Sequence, residues 1–140
     1  MYEVYFEKTL EHRAEFGNNV LVLMQCGSFY EMYHPVYKEK EHQQQQQKRV
    51  SGAAHDEMWT NVRDACRACG LQVAEKKHED VTYKKRRCDI QMAGFTLPSL
   101  DKYLHILIEN GYTVPVYKQD IDGPHSTRSL ANVYSLGTHK

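Results

Sequence analysis

Hydrophobic positions along this chain fall into runs of different period, and each period predicts an element. Tyr2, Phe6 and Leu10, with Tyr5 adjacent, recur at helical spacing from Tyr2 to Phe16, and Gly17 supplies a stop. Val20-Leu21-Val22-Leu23-Met24 is a continuous apolar run, as in a buried strand over 20–26. Gly27-Ser28 suits a reversal in which glycine takes the positive φ of a tight turn. A return strand over 29–33 would stop before Pro35. Lys38 to Arg49 carries Gln43 to Gln47 between charges and offers no apolar face, which predicts a mobile loop or a frayed helix extension.

Helical spacing returns from Asp56 through Met58, Val62, Ala65, Cys66 and Cys69 to Gly70, and Leu71-Gln72-Val73-Ala74 reads as a strand. The charged stretch Glu75 to Arg87 has neither glycine nor proline and fits a hairpin or an exposed loop. Asp89 to Gly94 predicts another strand, followed by a helix through Leu100, Tyr103, Leu104, Leu107 and Ile108 with Ser99 as N-cap and Asn110-Gly111 as stop. Tyr112 to Tyr117 reads as a strand whose Pro115 favours an edge or a bulge. After a polar loop with Gly123-Pro124, Leu130 to Tyr134 gives a last short strand. There is no internal repeat. This order predicts a mixed α/β single domain with a central mixed β-sheet flanked by about three helices.

Composition narrows the class. The chain's 140 residues, 41% of them hydrophobic, suffice for one compact core and are too few for two ordinary domains. Lys plus Arg and Asp plus Glu are 18 each, so no global field draws in nucleic acid and any such binding must rest on local patches. No apolar run approaches the length that spans a bilayer, and no basic segment leads into an apolar one at the N-terminus. Four cysteines, at 26, 66, 69 and 88, are too sparse for a disulfide scaffold. An intracellular location, cytoplasm or nucleus, is expected, with no membrane partner.

The candidate chemistry centres on Cys26-Gly27-Ser28-Phe29-Tyr30-Glu31. Side chains in a strand alternate faces, so Phe29 and Glu31 share one face and Tyr30 takes the other. A flat apolar ring beside a carboxylate suits a wedge that tests a stacked duplex, the carboxylate accepting hydrogen bonds from base edges. The bland alternative, a core phenylalanine with a solvated glutamate, fits the same residues. Lys84-Lys85-Arg86-Arg87, with Lys76 and Lys77, is the densest positive patch and could line a phosphate backbone or be solvated surface. Met92 is either core or grazes a groove. Cys66-Arg67-Ala68-Cys69 has the spacing of a zinc pair that His55, His78 and Cys88 could complete, but both cysteines continue an apolar helical stripe, which favours burial. The eight histidines form no H-E-x-x-H spacing, and no G-x-x-x-x-G-K-[ST] phosphate loop occurs. Neither a catalytic site nor a cofactor or metal is expected here.

Three ordered stretches resemble the N-terminal mismatch-recognition domain of the MutS family of DNA mismatch repair proteins. Gly27-Ser28-Phe29-Tyr30-Glu31 is similar to the family's usual Gly-Asp-Phe-Tyr-Glu. Met92-Ala93-Gly94, then Asp101-Lys102-Tyr103-Leu104, then Asn110-Gly111-Tyr112-Thr113-Val114 resemble its Met-Ala-Gly, its Asp-x-Tyr-Leu helix and the Gly-Tyr before a strand. Val133 to Thr138 is similar to the segment at which that domain ends and a connector begins. The resemblance implies a mismatch-recognition domain over 1–138 with a Gln-rich insertion at about 38–52, and 139–140 at the start of a connector or at the cut end of a longer protein. It further implies that Phe29 stacks on a mispaired base from the minor groove and that Glu31 hydrogen-bonds that base. Lys84, Lys85, Arg86, Arg87 and Met92 are secondary candidates for DNA contact. The partners it implies are mismatched double-stranded DNA, the remaining domains of a MutS-like parent, and a second copy in a full-length dimer, with ATP and Mg2+ needed by that parent and not by this domain. Ser28 in place of aspartate, Cys26 in place of methionine and the long stretch from Glu31 to Met92 depart from bacterial members. They look closer to the divergent branch of large DNA viruses and octocoral mitochondria. A different class of function, a structural or protein-interaction domain that kept the fold and lost mismatch sensing, predicts that Phe29→Ala leaves mismatch preference unchanged.

Overall fold

A helix lies over one face of a mixed six-stranded sheet and two further helices pack on the other, in a computed structural model that describes residues 2–37, 59–84, 86–120 and 127–136. The elements in chain order are α1 (Tyr2–Phe16), β1 (Leu23–Cys26), β2 (Phe29–Tyr37), α2 (Val62–Cys69), β3 (Ala74–Tyr83), β4 (Arg86–Thr96), α3 (Leu100–Glu109), β5 (Val114–Gln119) and β6 (Arg128–Tyr134), with a 3-10 turn at Leu97–Ser99 leading into α3. Strand order is β3-β4-β2-β1-β5-β6. Only β1 and β5 run parallel; the other neighbours are antiparallel. The expected α/β architecture is therefore the one adopted.

Alternation along β2 decides what each helix covers. Tyr33 meets the ring edges of Tyr2 and Tyr5, so the odd-numbered face of β2 lies under α1. Met32, on the even face, meets Cys66 of α2, and Phe95, paired with Tyr30, packs on Tyr103 of α3. β4 shows both layers in one strand: Cys88 and Ile90 are buried on the α1 side, Ala93 and Phe95 on the α2/α3 side. The core is built from Tyr5, Phe6, Leu21, Leu23, Met24, Met32, Tyr33, Ile90 and Leu107, all at most 2% exposed.

The buried stripe of α1 is not purely apolar: Tyr5, Phe6, Thr9 and His12 are buried, whereas Tyr2 and Leu10 are only half-buried. Thr9 is tolerated because its hydroxyl donates to the Tyr5 carbonyl at 2.9 Å, and His12 because its Nε2 lies 2.7 Å from the Tyr117 hydroxyl. Tyr5 donates to the Val22 carbonyl at 2.7 Å, tying α1 to the apolar run that precedes β1.

Several expected boundaries move. β2 continues through Pro35 to Tyr37, because its pairing with β1 ends at Glu31 and a strand with one open side tolerates a residue lacking an N–H. α2 begins at Val62, after Asn61 at φ 63, and the residues 56–58 expected to start it lie outside the described residues. Leu71 to Val73 are not a strand. The charged stretch after them is the β3–β4 hairpin, with a register shift between Lys76 and Val81. Pro115 is not at an edge, since β5 lies between β1 and β6, but it adjoins a register shift at Val116/Tyr117. Ser99 occupies the N-cap position of α3 without a side-chain capping bond; its hydroxyl lies 3.3 Å from that of Thr96. The glutamine run lies outside the described residues.

Candidate nucleic-acid interface

The turn before Phe29 is short and heavily braced. Gly27 adopts φ 61, a conformation that favours glycine. The Gln25 side chain donates to the Gly27 carbonyl at 3.0 Å and accepts from the Gln119 backbone N–H at 2.9 Å. Gln119 returns the contact by accepting from the Gly27 N–H at 2.9 Å, and Arg128 donates to the Gln25 carbonyl at 2.9 Å. From the other side, the Leu97 N–H donates to the Ser28 carbonyl at 3.1 Å. Bonds from β5, β6 and the residue after β4 thus converge on three residues, Gln25, Gly27 and Ser28. Each contributes modestly, about 0.5–1.5 kcal/mol at most, but together they fix the direction in which β2 departs.

Phe29 opens β2 opposite Cys26 on one side and Thr96 on the other. Its ring is 46% exposed, whereas Tyr30, pointing to the other face, is 4% exposed. Exposure alone does not single it out, since Val4, Phe16, Leu130 and Leu136 are also exposed among the described residues. Its neighbours do. Glu31, next on the same face, sits between Met24 and Gly94, and a Cβ added to Gly94 would stand 2.7 Å from the Tyr30 carbonyl oxygen and 3.3 Å from Glu31 Cγ. Glycine at 94 is what lets the Glu31 side chain lie across β4.

Tyr33, the third residue of that face, donates its hydroxyl to Glu31 Oε1. Burial, the bond to Glu31 and the Glu31 charge all push the Tyr33 phenol far above its ordinary value, so it stays a neutral donor. Met92 is half-buried on this same side, opposite Tyr33 on β2 and Ala74 on β3. Phe29 and Glu31 therefore share one surface at one end of the β2–β4 ladder, and Met92 lies further along the same face, at the middle of that ladder.

The basic residues are elsewhere. Arg86 begins β4, ten residues before Thr96, which places it about 33 Å from Phe29 along the strand at roughly 3.3 Å per residue. Its guanidinium lies 3.9 Å from the Tyr37 ring centroid, and Lys84, at φ 52 in the β3–β4 turn, lies 5.6 Å from that of Tyr83. Arg87 is exposed on the opposite face from Arg86, and Lys85 lies outside the described residues. The α1 rings cover the sheet between this patch and Phe29. Behind the turn, on the Tyr30 face, Gln25, Tyr30, Leu97, Pro98, Leu100, Asp101 and Lys118 line an open recess of about 490 Å3 whose two charges are of opposite sign.

The cysteines do not converge. Cys66 is buried against Met32, sulfur to sulfur 3.9 Å, and burial pushes its thiol up to about 11. Cys88 is buried on the opposite, α1-covered face of the sheet. His55 lies outside the described residues, and among the described residues no three His, Cys, Asp or Glu side chains are placed to hold a metal. No helix among them is long and apolar enough to cross a membrane.

Sequence reasoning missed the braces, Gln25, Gln119 and Arg128, and the role of the Tyr33 hydroxyl. Gln25 and Gln119 are 94 residues apart, so no local pattern joins them. For Tyr33 a signal existed, since it follows Glu31 on the same strand face, but Tyr33 also reads as ordinary hairpin packing.

Residues 60–140, more than half of the chain, match the family model of MutS domain I. A protein of Acanthamoeba polyphaga mimivirus, described as a DNA mismatch repair protein mutS homolog, is 27% identical over 139 residues, covering 99% of this chain and 11% of its own length. A mitochondrial DNA mismatch repair protein mutS homolog of Sarcophyton glaucum is 29% identical over 141 residues, covering 94% of this chain and 13% of its own. The chain thus spans little more than a tenth of either relative. Phe29 and Glu31 precede the stretch matched by the family model but fall within a chain that both relatives match almost throughout.

Proposed function

Because the chain belongs to the MutS domain I family, we propose that it is the mismatch-recognition module of a longer MutS-like protein, with Phe29 wedging into the minor groove and Glu31 accepting a hydrogen bond from the displaced base. The observation that carries this is the half-exposed Phe29 ring on a turn braced from three strands, with Glu31 beside it on one strand face. A wedge must be apolar, exposed and rigid, because a ring on a loose turn would fold back before it could unstack neighbouring bases. Mispaired steps are already poorly stacked, so insertion there costs less than in paired duplex, and preference follows from deformability. Met92, on the same face but opposite Tyr33, would be a further contact away from the wedge.

The basic turn at Lys84 to Arg87 is a separate contact in this proposal. At about 33 Å from the wedge, close to one helical turn of DNA, it would meet flanking phosphates and add affinity without mismatch preference. ATP and Mg2+ would be held elsewhere in the parent, since these 140 residues contain no phosphate loop. The parent is proposed to act as a dimer on mismatched DNA.

The test is binding of the full-length parent to mismatched and matched duplexes at fixed salt. Phe29→Ala is expected to lower the mismatched-to-matched affinity ratio by roughly 5- to 150-fold, the worth of about 1–3 kcal/mol of base stacking. Replacing Lys84, Arg86 and Arg87 by alanine is expected to weaken both duplexes alike and flatten the salt dependence. An unchanged ratio in Phe29→Ala would mean instead a structural or interaction domain that has lost mismatch sensing.

A further inference from the structure

We infer that Tyr33 is a positioning residue for Glu31, holding its carboxylate as an acceptor for an N–H group of the mispaired base; the inference rests on the mismatch-recognition function proposed above. The Tyr33 hydroxyl donates to Glu31 Oε1. Its ring cannot swing away: it is 2% exposed and held edge-on by Tyr2, at 4.8 Å between centroids, and by Tyr5, at 5.2 Å. Tyr5 is itself anchored through its hydroxyl to the Val22 carbonyl. A chain of contacts therefore runs from the core strand segment through α1 to a carboxylate at the open end of the sheet.

Two consequences follow from elementary chemistry. A glutamate side chain free in solution loses rotamer entropy when it is ordered, and a prior bond to Tyr33 removes some of that loss from the binding step. A carboxylate also has no proton to give, so with one oxygen already engaged the other can only accept. It complements an imino N–H, as thymine and guanine carry. On the minor-groove side, from which Phe29 would approach, adenine offers the N3 lone pair and no N–H, so there the carboxylate faces an acceptor. Phe29 can stack on any base, so it cannot supply this distinction. Stacking and base dependence are then divided between Phe29 and the Tyr33–Glu31 pair.

The experiment compares G·T, A·C and fully paired duplexes bound by the full-length parent at fixed salt. Tyr33→Phe keeps the ring and its edge contacts and removes only the donor. It is expected to lower the G·T-to-paired ratio by roughly two- to tenfold, the worth of one hydrogen bond. The A·C ratio should stay unchanged, and no further loss should appear in a Glu31→Ala background. An unchanged G·T ratio, an equal loss on both mismatches, or a full additional loss with Glu31→Ala overturns the inference. If Tyr33→Phe folds poorly, Tyr2→Ala keeps the hydroxyl but loosens the ring; it should lower the G·T ratio by a smaller factor, and no change there also overturns the inference. Phe29→Ala measured alongside separates the levels. If it lowers both ratios while Tyr33→Phe alters neither, only the role of Tyr33 falls. If neither variant alters a ratio, mismatch recognition itself falls, and the role of Tyr33 with it.

Discussion

One face of β2 carries Phe29, Glu31 and Tyr33 in succession, yet the first is 46% exposed and the third 2% exposed. Period and strand are the same for both; what differs is the cover. Tyr33 lies under Tyr2 and Tyr5 of α1, whereas Phe29 stands where the sheet reaches past the helix and meets the braced turn. The covered end is a core and the open end is a probe. Alternation assigns a residue to a face, but only the extent of the neighbouring helix decides whether that face is dry. The same contrast separates the middle of β4, where Ile90 is buried under α1, from its last residues toward Thr96, where Gly94 leaves room for Glu31.

The largest expected effect lies under the helix. Phe6 is fully buried against Trp59 and Tyr83, and Phe6→Ala is expected to cost about 3–5 kcal/mol in urea unfolding. Phe29→Ala should cost less than about 0.5 kcal/mol in the same assay, because its ring is already half in water. Comparable losses at the two positions would erase the distinction between core and probe.

Gly94→Ala should fall between them, at about 1–3 kcal/mol. The new methyl would stand 2.7 Å from a backbone oxygen that is itself fixed in the ladder, so the strands must move apart. Because the second-nearest atom belongs to Glu31, the variant should also lose mismatch preference, which a purely packing role would leave intact.

The smallest effect concerns pH at the covered end. Burial lowers His12 below its ordinary value of 6.5, and Glu15 and Glu11 offset this incompletely. The unfolded chain therefore binds a proton more readily than the folded one near that pH, so stability is fully present above about pH 6.5 and is lost as the pH falls. Thermal unfolding from about pH 7.5 to 5.5 should show a falling midpoint, and His12→Gln should flatten that fall. A midpoint that rises on acidification would show that Glu15 dominates and that the imidazolium is stabilised in place.

Much of the fold is legible in the chain because its signals are local. The apolar run Val20 to Met24, Gly27 before Phe29 and the Leu100 to Ile108 stripe each specify their element within a few residues. Boundaries that depend on a partner were not legible in the same way. Pro35 stays in a strand because β1 stops pairing at Glu31, and Leu71 to Val73 leave the sheet because β4 pairs from Ala74 onward. Distance along a strand is likewise a matter of the fold: Arg86 comes shortly before Met92 in sequence, and the extended β4 carries it about 33 Å from Phe29.

The sequence by itself determined the α/β class, the turn at Gly27 and the sharing of one strand face by Phe29 and Glu31, because a period of two and a glycine in a tight turn need no distant partner. Tertiary structure decided that Phe29 is half-exposed, that Gln25, Gln119 and Arg128 hold its turn, and that the Tyr33 hydroxyl is aimed at Glu31. Those outcomes depend on which surfaces α1 covers and on contacts between residues nearly a hundred positions apart, and neither is written in any short stretch of the chain.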